Sequence, residues 1–153
     1  MARIENLPEH EQSLLRNFAV PKYETRPWVT GPTLKNRRIA IVTTAGLHTR
    51  DDNPFSIGAS DYRIIPSDVK TDDLVMSHIS VNFDRSGYQE DLNTIFPIDR
   101  MRELADEGGV ESLATHHYSF MGATNPQDLE PNARRLATIL KADCVDSVLL
   151  TGV

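Results

Sequence analysis

The run Arg37-Arg38-Ile39-Ala40-Ile41-Val42-Thr43-Thr44-Ala45-Gly46 constrains this chain more than any other stretch. Its apolar residues are consecutive and β-prone, with no polar residue interleaved. A strand with one wet face alternates; a strand apolar on both sides needs cover above and below. Parallel sheets flanked by helices supply that cover. The small residues that follow predict a tight exit at the strand's C-terminal end, which is where open α/β sheets bind ligands. Only one glycine is present there, so the stretch is not a dinucleotide-binding fingerprint, which needs three.

The rest of the chain supports the same class. Tyr62-Arg63-Ile64-Ile65-Pro66 predicts a short strand ended by proline, and 48–61 a polar loop. Asp72–Ser80 is ambiguous, and 82–87 carries turn residues. Pro97 opens a helix whose stripe is Ile98, Met101, Leu104 and Ala105, stopped by Gly108-Gly109. A second helix is expected over Pro126–Ala142, capped by Asn125 and burying Leu129, Ala133, Leu136, Ala137 and Leu140. Between the helices, Ser112–Phe120 reads as a strand leading into a turn at 121–124. Asp146–Val153 repeats the logic of the first strand. The order is that of an α/β fold with an open, mostly parallel, Rossmann-like sheet, incomplete at its C-terminal end. Residues 1–36 read as an N-terminal arm, with a short helix from Glu9 to Phe18 and prolines at 21, 27 and 32, ahead of a domain over 37–153. Trp28 is expected to anchor that arm on the domain surface or, alternatively, to dock on a partner subunit.

Composition removes whole classes of function. Sixteen basic against 22 acidic residues leave a net charge of −6, against nucleic acid or anionic membrane as a partner. No apolar run nears the roughly 18 residues of a membrane span. A single cysteine, Cys144, allows no internal disulfide and fits a reducing, cytoplasmic setting. Cys144 has no CxxC partner and reads as buried and inert. No spacing resembles a zinc motif, and no metal is expected.

Several polar strings could carry chemistry. His48 follows the first strand and is either a solvated loop residue or part of a pocket beyond that strand's end. In His78-Ile79-Ser80-Val81-Asn82-Phe83-Asp84-Arg85, alternate residues share one side of an extended chain. That side could bind an amino-acid-like substrate, with Arg85 for its carboxylate, or simply face solvent as an edge strand. In His116-His117-Tyr118-Ser119-Phe120-Met121-Gly122, adjacent histidines point to opposite sides, so one of them can orient a substrate or move a proton. A structural, hydrogen-bonded histidine is the competing reading.

Taken together, Thr44-Ala45-Gly46-Leu47-His48, Asp61-Tyr62-Arg63-Ile64-Ile65-Pro66, Ser77–Arg85, His117–Thr124 and Ala142–Leu150 resemble the glycine/betaine/sarcosine/D-proline reductase selenoprotein B family, over about residues 27–153. The resemblance implies a reductase that cleaves a C–N bond at the α-carbon of such substrates. It implies a selenocysteine or cysteine directly after Val153, in a U-x-x-C or C-x-x-C motif. Selenocysteine is encoded by UGA, so a reading that took UGA as stop would end there, and the chain as given would be inactive. The resemblance also implies a partner reductase subunit bearing a pyruvoyl group and a dithiol electron donor, with no cofactor in this chain itself. On this reading His48, Asn82, Asp84 and His117 are the pocket candidates, for positioning rather than bond cleavage. Two alternatives remain: a non-catalytic α/β module that binds a small metabolite or partner, and a thiol redox protein on the same scaffold.

Overall fold

The computed structural model describes residues 3–17, 21–80 and 85–152. Along the chain run α1 (Glu9–Arg16), β1 (Arg38–Thr43), β2 (Leu47–Thr49), β3 (Tyr62–Pro66), β4 (Leu74–Met76) and α2 (Ser86–Glu90). After these come α3 (Ile98–Asp106), β5 (Ser112–Leu113), β6 (His116–Phe120), α4 (Pro126–Ala142) and β7 (Ser147–Thr151).

β1 is the hub, as its two-sided apolar sequence requires. It pairs in parallel with β5, β6 and β7, while β3 joins the far side of β6 antiparallel. The registers divide the edges of β1. β7 follows it from Ile39 to Thr43, whereas β5 meets only 38–39 and β6 only 42–43, so those two share the opposite edge. Alternate residues of β1 then serve opposite faces. Ile39 and Ile41 pack with Ile65, Phe96, Ile98 and Met101 on the α3 side. Ala40 packs with Tyr118, Phe120, Leu136 and Leu140 on the α4 side. The result is a three-layer α/β domain with an open, mixed but mainly parallel sheet.

The expected strand over 112–120 is two pieces, and the break has a physical cause. At Thr115 the chain leaves the ladder, and its N–H donates to the Asp143 carboxylate at 2.8 Å. The N–H of Ile41 on β1 is left facing the gap, and the Nδ1 of His117 accepts it at 3.0 Å. A side chain thus stands in for a strand carbonyl, because a buried N–H must be paired.

Several other expectations change. The loop expected over 48–61 begins with a strand, since His48 sits in β2, antiparallel to β4. Ser86–Glu90, partly within the expected turn, is helical, and 81–84 lie outside the described residues. α1 ends at Arg16 and buries none of its residues, and Phe18 lies outside the described residues. α4 has the expected bounds and its Asn125 cap, with the side chain accepting from the N–H of Gln127. Its buried stripe is narrower, however: Leu136 and Leu140 are buried and Ala133 and Ala137 exposed, because α4 covers β1 and β6 but leaves β7 open. Trp28 is 91% exposed and therefore does not anchor the arm on this domain. Cys144 is exposed, not buried. It adopts φ +57° at the end of α4, where Val145 N–H bonds Leu140 O and Cys144 N–H bonds Lys141 O, the two-bond helix stop usually built on glycine.

Candidate functional site

The C-terminal ends of β1, β6 and β7 meet at one end of the sheet, where an open α/β fold places its chemistry. Thr43 and Thr151 are register partners there, and both hydroxyls donate to the Ile95 carbonyl, at 3.0 and 2.8 Å. Thr43 Oγ1 also accepts from the N–H of Ala45 at 3.2 Å. These bonds fix the tips of β1 and β7 against the loop that leads into α3. A Cβ on Gly152, the residue after β7, would meet nothing within 4 Å among the described residues.

Two glycines let the backbone close around one histidine beside these tips. Gly46 has φ +64°, and a Cβ on it would lie 3.1 Å from the His78 nitrogen and 3.2 Å from its Cα. A Cβ on Gly122 would lie 2.8 Å from the Thr44 carbonyl oxygen and 3.1 Å from His78 Nε2. Neither position has room for a side chain. His78 itself is 5% exposed, and its Nδ1 accepts the N–H of Ser80 at 3.2 Å. Its pKa is lowered, first by burial and then by the charge of Arg85, so the imidazole is held neutral. Arg85 donates to the His78 carbonyl at 2.7 Å, which commits one arm of the guanidinium that the sequence offered to a substrate carboxylate.

The four pocket candidates separate in the structure. His48 is 5% exposed on β2, so it is no solvated loop residue; its Nδ1 lies 2.7 Å from the Thr49 carbonyl, and its buried Nε2 has no hydrogen-bond partner among the described residues. His117 is fully buried, tied to β1 through Nδ1 and set edge-on to Phe96 at a 5.9 Å centroid distance. Its pKa falls to about 4, chiefly through burial and then through the charges of Arg102, His116 and Arg38. Asn82 and Asp84 lie outside the described residues. His78, absent from the selected four, is the histidine the backbone wraps. The signal was in the sequence, since His78 stands on the same alternating face as Asn82 and Asp84.

No group of three or more His, Cys, Asp or Glu among the described residues could hold a metal ion. A polar cavity of about 500 Å³ lies between Arg50, Asp72, Tyr88 and Asp91, and neither His48 nor His117 lines it. No helix among the described residues is long and apolar enough to cross a membrane.

The fold is that of an α/β protein with an open, mainly parallel sheet, whose strand tips are the place such folds use for binding. Comparison with known proteins makes that class specific. The sequence profile of the glycine/sarcosine/betaine reductase selenoprotein B family matches residues 16–153, and the chain belongs to that family. D-proline reductase subunit gamma of Acetoanaerobium sticklandii is 39% identical over 122 residues, which cover 78% of this chain and 50% of that protein. The betaine reductase complex component B subunit beta of Peptoclostridium acidaminophilum is 32% identical over 125 residues, 78% of this chain and 28% of its own length. The glycine reductase complex component B subunit gamma of Symbiobacterium thermophilum is 32% identical over 145 residues, 88% of this chain and 33% of its own length. This chain therefore spans half or less of the length of these relatives. No solved structure matches it.

Proposed function

We propose that this chain is the scaffold half of a selenol- or thiol-dependent reductase component, one that cleaves a C–N bond at the α-carbon of a glycine-, betaine-, sarcosine- or proline-like substrate. The observation that carries this reading is the tip of β7. It is aligned with β1 along its whole length and clamped through Thr151 and Thr43 to the Ile95 carbonyl. A selenocysteine or cysteine directly after Val153, as the family resemblance implies, is proposed to leave the strand at this tip.

When present, a selenol–thiol pair supplies two electrons and two protons: the C–N bond opens, carbon and nitrogen each gain a hydrogen, and the pair closes to a selenenyl sulfide. The residues of this chain do the rest by position. Thr43 and Thr151 hold the two strand tips in register. Gly46 and Gly122 bring backbone against His78, whose pKa is lowered by burial, beside the tips. Asn82 and Asp84, four and six residues beyond His78, are proposed to receive the polar end of the substrate, with His48 as a further pocket residue. His117 acts at one remove, by holding β6 to β1.

The relatives named as subunits of reductase complexes support a partner subunit, proposed to carry a pyruvoyl group for amine substrates, and a dithiol that resets the redox pair. The assay is direct. Protein that continues past Val153 is incubated with dithiol and, separately, with glycine, betaine, sarcosine and D-proline in the presence of its partner subunit. Substrate-dependent release of the amine, or opening of the proline ring, is expected with one of the four. Disulfide reduction without turnover of any of them would leave only a thiol redox protein.

A further inference from the structure

β7 is unusually bare for a strand of its composition. Ser147-Val148-Leu149-Leu150-Thr151 is uncharged and free of proline, with Val148 and Leu150 on one face and Leu149 between the hydroxyls of Ser147 and Thr151 on the other. Among the described residues only β1 pairs with it. On the α4 side Val148 is 41% and Leu150 75% exposed. On the α3 side an apolar groove of about 280 Å³ opens between Leu34, Met101, Leu104, Val110, Val148 and Leu149. Natural edge strands are blunted by lysine, proline or a bulge, and β7 has none of these.

The N-terminal arm is bare in the same neighbourhood. Its base is fixed to the start of β7: Arg37 Nη1 donates to Ser147 Oγ, and Arg37 Nε donates to the Pro32 carbonyl at 2.8 Å. Leu34 forms one wall of the groove. Just ahead of that anchor, Trp28 is 91% and Val29 80% exposed. Two large apolar side chains on a tethered segment, beside an uncovered apolar strand, mark a surface built to be covered.

We propose that β7 is an interior strand of the assembled protein, and that its free edge, its bare Val148/Leu150 face and the Trp28 arm form one docking surface for a second α/β segment. That segment is the counterpart of the part of D-proline reductase subunit gamma lying outside the match. It adds a strand along β7, covers Val148 and Leu150 with a helix, and is strapped by the arm. Three observations select this occupant. The relative is twice the length of the matched part, so a segment of comparable size exists in the family. A strand covered on one face but bare at Val148 and Leu150 on the other needs a helix over that face and a strand at its edge, which an α/β segment supplies and an isolated peptide does not. The arm is tied through Arg37 to Ser147, at the start of β7, and carries its exposed Trp28 and Val29 just ahead of that tie. The inference rests on family membership and on the sheet, not on the reductase chemistry, so its failure and that of the proposed activity are read in separate experiments.

The test pairs this chain, labelled with 5-fluorotryptophan at its single tryptophan, with the unmatched part of D-proline reductase subunit gamma, co-expressed as a separate polypeptide. Native mass spectrometry, hydrogen exchange and fluorine NMR are recorded. The expected result is a 1:1 complex in which the 147–151 amides slow by at least tenfold and the Trp28 resonance shifts. Leu150→Lys, at an exposed position, is expected to weaken the complex at least tenfold while leaving the chain's own thermal unfolding unchanged; Leu14→Lys on α1 is expected to leave the complex intact. The proposal is overturned by no complex at 100 μM of each partner, by a complex indifferent to Leu150→Lys, or by protection of β7 in a homodimer of this chain alone. It is equally overturned if Trp28 folds into its own groove in the free chain.

Discussion

Thr43 and Thr151 face each other in register on neighbouring parallel strands and share one acceptor, the Ile95 carbonyl, at 3.0 and 2.8 Å. A carbonyl has two lone pairs, and here both are used. The bond pair joins three segments far apart in sequence at the C-terminal end of the sheet. The two threonines are not equivalent, however, because Thr43 is fully buried and also accepts from Ala45 N–H. Thr43→Val leaves that N–H without its partner and is expected to cost about 1–3 kcal/mol, whereas Thr151→Val, with Ile95 still served, is expected to cost about 1 kcal/mol or less. Urea unfolding midpoints of the two variants measure the difference. Equal losses would mean that the shared carbonyl, not the Ala45 bond, dominates.

His117 makes the fold sensitive to acid. Burial first, then the charges of Arg102, His116 and Arg38, lower its pKa from 6.5 to about 4, against a smaller opposing pull from Asp143. The unfolded chain takes up a proton near the ordinary value while the folded chain resists it. Stability is therefore fully present above pH 6.5 and declines as pH falls towards 4, by about 3 kcal/mol in all. His78, also lowered, adds a contribution of the same sign. His117→Asn keeps an acceptor for the Ile41 N–H with nothing to titrate. Unfolding free energies at pH 7, 6, 5 and 4 are expected to run flatter in this variant than in the parent.

Cys144 occupies the left-handed position that ends α4, at φ +57°. A side chain there costs roughly 1–2 kcal/mol, partly offset by the entropy that glycine loses on folding. Cys144→Gly is expected to stabilise the chain by about 0.5–1 kcal/mol. Calorimetry checks this, and titration of the native protein with a thiol reagent is expected to find one accessible thiol.

Asp143 closes the gap between β5 and β6. Its carboxylate accepts from Arg38 Nη2 at 2.8 Å, from Thr115 N–H at 2.8 Å and from Thr115 Oγ1 at 3.0 Å. The ion pair is about one-quarter exposed on each side, so solvent screens it and the bond to the backbone N–H matters more. Asp143→Ala is expected to cost about 1–2 kcal/mol and Asp143→Asn roughly half of that, since the amide oxygen still serves Thr115. Denaturant unfolding of both variants separates the two contributions.

Much of this fold was legible because its patterns are local. Ile39–Val42 announces a strand covered on both faces, and Asn125-Pro126 announces a helix start; both elements lie where the residues put them. The narrow buried stripe of α4 was not legible, because Ala133 and Ala137 fit the helical period but face away from anything the domain places there. The break between β5 and β6 was invisible for a different reason. It depends on a carboxylate at 143 and an imidazole at 117 capturing N–H groups that sequence pattern assigns to a ladder. His48 was read as loop because three-residue strands such as β2 carry too little period to detect. At the candidate site, the string containing His78 stood out, yet its enclosure by Gly46 and Gly122 arises from contacts between segments more than 30 residues apart and has no local signature.

The account centres on a redox residue emerging from the tip of β7. Reading the codons that follow Val153 in the gene tests it most directly. The account predicts UGA decoded as selenocysteine, or a cysteine codon, with a second cysteine three residues further on. An ordinary UAA or UAG stop, a UGA with no open frame behind it, or a different residue at that position would contradict it.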